Sequence, residues 1–176
     1  MATDATALQL VLSGDPALFA IVRLSLYVSL SAVALAALIG IPLGAWIALT
    51  KFPGRQGVIV LLNALMGLPP VVVGLAVYLL LSRSGPLGAL GWLFSFKAMV
   101  LAQAVLVLPV VTALTRQVVE DAHTAHGEQL QSMGAGTALR SLLLAWDERY
   151  ALLTVLIAAF GRAISEVGAV MIVGGN

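Results

Sequence analysis

Four apolar stretches, each close to the length of a bilayer crossing, dictate what this 176-residue chain can become. They run from about Leu24 to Leu49, Val58 to Leu81, Ala98 to Leu114 and Tyr150 to Val173. A hydrocarbon core takes roughly 20 helical residues to cross. Lipid offers no partner to a free backbone amide, so all four stretches are predicted to be helices. The third is short and must borrow from the apolar segment before Lys97 or from Thr115–Val119. The expected fold is therefore all-α, a polytopic transmembrane helical bundle forming one domain over 1–176. A long polar loop over 115–149 separates the third span from the fourth.

Composition agrees with this. Hydrophobic residues make up 61% of the chain and charged residues 10%, too little charge to cover a water-facing surface. The net charge of +1 gives no reason to expect nucleic acid as a partner. The absence of cysteine removes disulfides, thiolate metal sites and a cysteine nucleophile together. Met1 to Phe19 contain no Lys or Arg. The basic start of a secretory signal is thus missing, and the first apolar run reads as a retained span. Ala5 to Phe19, broken at Ser13-Gly14-Asp15-Pro16, is expected to form a short interfacial helix before it.

The connections set an orientation. With four spans, Lys51, Arg55, Arg116, Arg140 and Arg149 fall on one side, against Arg23, Arg83 and Lys97 on the other. That excess places the long loop in the cytoplasm and the N-terminus outside. Residues 82–97 are punctuated by Gly and Pro yet remain apolar, with Trp92, Phe94 and Phe96, as suits a hairpin in the membrane interface.

Arg162 and Glu166 are the most informative residues, since a charge at mid-membrane costs roughly 2.5–3.5 kcal/mol. Placed i,i+4, they read either as a neutralising pair that joins helices or as groups that line a pathway or lock its helices. Arg before Glu is the weaker order, which predicts a partner for at least one of them on another helix. Gly161, Ser165 and Ala169 make a ridge of small residues beside them, and Gly40 and Gly44 flank Pro42 in the first span; both patterns predict close helix packing. Pro69 and Pro70 remove two backbone donors near the centre of the second span, which must kink or break there. Such a break fits a transport site or a purely structural bend. Pro109 reads as a kink.

Glu120, His123 and His126 fall short of a metal ligand set, and no metal site is expected. No His-Glu-x-x-His motif, nucleophile elbow or Gly-rich phosphate loop is present, so neither hydrolysis nor nucleotide binding is expected of this chain.

Glu128-Gln129-Leu130-Gln131-Ser132-Met133-Gly134, followed by Leu144, resembles the cytoplasmic coupling motif of bacterial ATP-binding-cassette (ABC) importer permeases. Glu128, Gly134 and Leu144 match it, while Gln129-Leu130 and Trp146-Asp147 depart from it. Leu68-Pro69-Pro70-Val71-Val72-Val73-Gly74-Leu75 resembles the molybdate and tungstate branch. So does Gly161-Arg162-Ala163-Ile164-Ser165-Glu166-Val167-Gly168-Ala169-Val170-Met171, which ends in Val173-Gly174-Gly175-Asn176 and is most similar to tungstate permeases.

The resemblance implies a type I permease fold in the bacterial cytoplasmic (inner) membrane. It implies a permease homodimer with two ATP-binding subunits and an extracytoplasmic oxyanion-binding protein. ATP and Mg would be bound by the ATPase partner, with no cofactor in this chain, which is not an enzyme by itself. Coupling falls to Glu128, Gly134 and Leu144; the pathway, or the locking of its helices, to Pro69, Pro70, Arg162, Ser165 and Glu166. The cargo implied is tungstate, with molybdate or sulfate as the alternative. A secondary transporter or channel without an ATPase, or a membrane scaffold, are the rival classes. Members of the family continue beyond Gly-Gly-Asn with a further loop and span, so the chain is expected to be incomplete at its C-terminus.

Overall fold

The computed structural model describes residues 16–134 and 136–174, apart from the side chains of residues 17, 126–131 and 167–169. Among the described residues, every regular element is helical. Helix α1 (Pro16–Leu49) begins on a proline, whose fixed φ and missing donor suit a first helical turn. It takes in residues 16–19, expected to belong to a separate interfacial helix, and residues 20–23 ahead of the expected span. The rest of Ala5–Phe19 lies outside the described residues, as do Gly175 and Asn176.

Helices α2 (Arg55–Met66) and α3 (Pro70–Leu81) replace the single span expected over 58–81 and meet at a bend of 103°. A 3₁₀ turn at Gly88–Leu90 interrupts the connection that follows. Helix α4 (Phe96–Ser132) is 37 residues long. It takes both Phe96–Lys97 and Thr115–Val119 into the third span and continues through the segment expected to be a loop. Helices α5 (Thr137–Asp147), α6 (Arg149–Ser165) and α7 (Val167–Gly174) complete the order. By length and apolar character α1 and α4 each suffice to cross a bilayer, and α2 with α3 form a bent pair, a broken span or a re-entrant loop.

Helix α4 is the central post. Its Ala102 and Leu106 pack with Val77 and Leu81 of α3 and Val173 of α7. Its Val107 and Val111 pack with Ala36 of α1 and with Ala159 and Ala163 of α6. Its Val119 and Ala122 meet Ala45 of α1 and Leu144 of α5. Small residues let the backbones approach: a Cβ on Gly44 would lie 2.6 Å from the Thr112 carbonyl oxygen, and one on Gly40 would lie 3.0 Å from Val111 Cγ1. Lipid supplies no hydrophobic drive between helices, so this dispersion contact is what joins α1 to α4. The other small ridge differs. Gly161 and Ser165 are exposed, nothing lies within 4 Å of a Cβ built on Gly161, and Ala169 is outside the described side chains. Among the described residues, Gly161 and Ser165 of that ridge therefore do not pack against another helix.

Polar contacts tie each end of the bundle. At one end Arg55 donates from Nε to the Ile47 carbonyl (2.9 Å) and from Nη2 to that of Ala48 (3.3 Å). The same guanidinium reaches Glu120 at 3.0 Å, and Glu120 also pairs with Arg116. The last carbonyls of a helix have no intrahelical donor, so Arg55 caps α1 while tying the first connection to α4. At the other end the Phe94 amide donates to the Val173 carbonyl at 3.1 Å.

Candidate functional site

The fourth apolar stretch is interrupted at Glu166 (φ −94, ψ 78), between α6 and α7. In an unbroken helix the Ala163 carbonyl would accept from the amide of residue 167. Here it accepts from Gln103 Nε2 of α4 at 3.0 Å, a fully buried contact. The Arg162 carbonyl accepts from Ser165 Oγ at 2.9 Å. Two carbonyls near the end of α6 thus receive side-chain donors, as helix termini in lipid require.

Beside the break lies a cavity of about 100 Å³, lined among others by Ser25, Ser29, Met99, Gln103 and Glu166. Ser29 is 1% exposed and Gln103 3%. With Nε2 committed to Ala163, Gln103 presents its Oε1, which is buried and has no hydrogen-bond partner. Arg162 Nη2 stands 3.7 Å from Glu166 Oε1. The expected partner on another helix is not seen for either residue among the described ones, and Arg162 Nε is buried without a hydrogen bond. Polar groups of α1, α4 and the α6–α7 break therefore converge in an otherwise apolar bundle.

The second break has a different cause. The Gly67 and Leu68 amides donate to the Ala64 and Leu65 carbonyls in a closing turn. Pro69 is extended (φ −63, ψ 132), and Pro70 opens α3. A residue before proline is biased away from helical geometry, and proline itself suits the first turn. Leu68 packs on the α3–α4–α7 core. Pro69 and Pro70 do not line the cavity at Glu166, so the structure does not bring all the expected pathway residues together.

At the polar end, α4 stops at Ser132 and Gly134 takes a left-handed conformation (φ 78) that favours a residue without Cβ. Helix α5 then folds back. Leu144 is 1% exposed, packed with Ala45, Val119 and Ala122. It anchors α5 to α1 and α4 and does not offer itself as a free contact. The outer face of α5 carries exposed Leu139, Leu142 and Trp146, with the Arg149 guanidinium 5.7 Å from the Trp146 ring centroid and 4.7 Å from that of Tyr150. Glu128 lies in α4, its side chain outside the described residues, as is that of His126. Glu120 is engaged by Arg55 and Arg116, not by His123.

Sequence reasoning missed Gln103 and Ser29. The available signal was an amide and a hydroxyl inside apolar spans, where unpaired polar groups are costly; their neighbours could not be read from one strand of sequence.

No family model matches the sequence. Individual relatives do. The chain is 43% identical over 159 residues to a probable anion ABC transporter permease protein of Haloferax volcanii, covering 90% of this chain and 68% of that protein. The chain belongs to the anion ABC transporter permeases. This permease is also 39% identical over 170 residues to the tungstate uptake system permease protein TupB of Peptoclostridium acidaminophilum, covering 97% of this chain and 75% of that one. With the sulfate transport system permease protein CysW of Escherichia coli it shares 32% identity, over 92% of this chain and 58% of the relative. Permease subunits of this family are not catalytic on their own. Homology and the apolar helices together make the chain a multi-pass membrane protein.

Proposed function

We propose that this permease moves tungstate across the cytoplasmic membrane, as half of a homodimer served by two ATP-binding subunits and an extracytoplasmic oxyanion-binding protein. The observation that carries the cargo is the likeness to TupB, which extends over 97% of this chain. In this reading the α4–α5 end faces the cytoplasm. There Glu128 and Gly134 shape the element that meets the ATPase, while buried Leu144 transmits its displacement to α1 and α4. ATP and its Mg stay on the partner. The pathway, or the locking of the helices that form it, belongs to Pro69, Pro70, Arg162, Ser165 and Glu166, at or beside the two helix breaks.

The likeness to CysW favours sulfate as the second reading. Uptake measured by mass spectrometry, in cells carrying the permease together with an ABC ATPase and an oxyanion-binding protein supplied with it, decides between them. Tungstate accumulation that persists in a large excess of sulfate or molybdate is expected. Sulfate uptake that tungstate does not inhibit would replace the first reading by the second. Uptake that continues when the ATPase is inactivated would remove the ABC mechanism from both.

A further inference from the structure

We propose that the cavity at the α6–α7 break is a binding site for an alkali-metal cation. The hydrogen-bonding valences left open in its lining are those of acceptors. Gln103 spends Nε2 on the Ala163 carbonyl, so what it has left is Oε1, an acceptor that is buried and unpartnered. Glu166, whose carboxylate can only accept, lines the same cavity, with Ser29 and Ser25 beside it. A hydroxyl can turn either way, whereas an amide oxygen and a carboxylate cannot. The negative end of the longer helix α6 terminates at this point, where the positive end of the eight-residue α7 also begins. An oxyanion brings only further acceptors and meets a carboxylate there. A cation satisfies the open acceptors of Gln103 and Glu166 together, and broken helices in membranes use their C-terminal ends in this way.

The chemistry also sets the class of cation. Divalent Ca or Mg calls for several carboxylates or a retained water shell. Here one carboxylate lines the cavity and it already faces Arg162 at 3.7 Å. Amide and hydroxyl oxygens around a volume of about 100 Å³ suit a weakly hydrated monovalent ion. A water takes about 30 Å³, so the cavity also has room for one or two waters beside the ion.

This inference is independent of the transported anion. Its test uses the permease in its assembled complex, reconstituted in lipid without any oxyanion. Thermal unfolding is followed in chloride salts of lithium, sodium, potassium and N-methyl-D-glucamine at equal ionic strength. One alkali cation is expected to raise the midpoint saturably, while the bulky organic cation does not. Ser29→Ala, which removes one hydroxyl at a small position, should raise the half-saturating concentration about tenfold. Glu166→Gln should do so as well. Equal midpoints in all four salts would overturn the proposal in favour of water alone. A cation effect unchanged in both variants would place the ion elsewhere. Protection by tungstate or sulfate that depends on Ser29, without a cation effect, would make the cavity an anion site.

Discussion

Gln103 and Ala163, sixty residues apart, are joined by a hydrogen bond of 3.0 Å from the Nε2 of one to the carbonyl of the other. The bond exists because Glu166 interrupts the helix and leaves that carbonyl without its usual donor. Replacing Gln103 by Leu is expected to cost about 1–3 kcal/mol, the penalty for a buried polar group left unpaired. A lower unfolding midpoint of the solubilised complex, partly restored by Gln103→His, would report it. An unchanged midpoint for Gln103→Leu would mean the break holds without the clip.

Gly44 lies against the backbone of α4, where an added Cβ would sit 2.6 Å from the Thr112 carbonyl oxygen. Gly44→Val is expected to force α1 and α4 apart at a cost of about 1–3 kcal/mol or more, as overpacking does. Gly161→Ala, with open space around it, serves as the contrasting variant and should leave the stability of the isolated chain within about 0.5 kcal/mol of the parent. Equal behaviour of the two would contradict the packing described.

Arg55 binds two α1 carbonyls and Glu120 with one guanidinium. Arg55→Ala should cost about 1–2 kcal/mol, and Arg55→Lys should recover little, because an ammonium cannot reproduce the fork. Hydrogen exchange of the 45–55 backbone should rise in both variants. Full protection in the lysine variant would show that charge alone suffices.

Pro69 and Pro70 set the 103° bend between two helices of 12 residues each. Two arms of about 18 Å bent this far bring their outer ends to about 22 Å, against about 36 Å for a straight helix. Spin labels at Gln56 and Leu80 should give the shorter distance in the parent chain and a longer one after Pro69→Ala with Pro70→Ala. If that variant also loses uptake while inserting normally, the bend serves transport. Parent-like distances in it would move the cause of the bend to the packing of Leu68.

Gly134 holds a φ of 78 between α4 and α5. A β-branched residue there is strained, so Gly134→Val should shift α5 and leave an inserted complex that hydrolyses ATP without accumulating cargo. His123→Ala is the control expected to matter little. Coupled uptake at parental rate by Gly134→Val would remove this turn from the coupling path.

Much of this was legible in the residues. Pro69-Pro70 announces a break, and Gly134 announces a left-handed turn, since both act through backbone sterics that one residue carries by itself. The length of α4 was not legible, because apolar runs mark where a helix meets lipid and say nothing of a polar helix continuing past it. The interruption at Glu166 was also hidden, for no proline or adjacent glycine marks it. Its stabilising partner comes from another helix. The ridge at Gly161 and Ser165 reads like that of Gly40 and Gly44, yet only the second faces a neighbour within the chain; which face a ridge presents is a property of the assembled bundle.

The contact at Gly44 has a mechanical corollary. Where one backbone rests against another with no side chain between, sliding by even part of a turn drives Cα into carbonyl. Helices α1 and α4 are thus a single spar, clamped at its polar end by Arg55 and Glu120. In the proposed coupling, a stroke delivered through Leu144 would pass to that spar through its packing on Ala45, Val119 and Ala122. Within the apolar stretches, the joints that can take it up are the interruptions at Gly67–Pro69 and at Glu166.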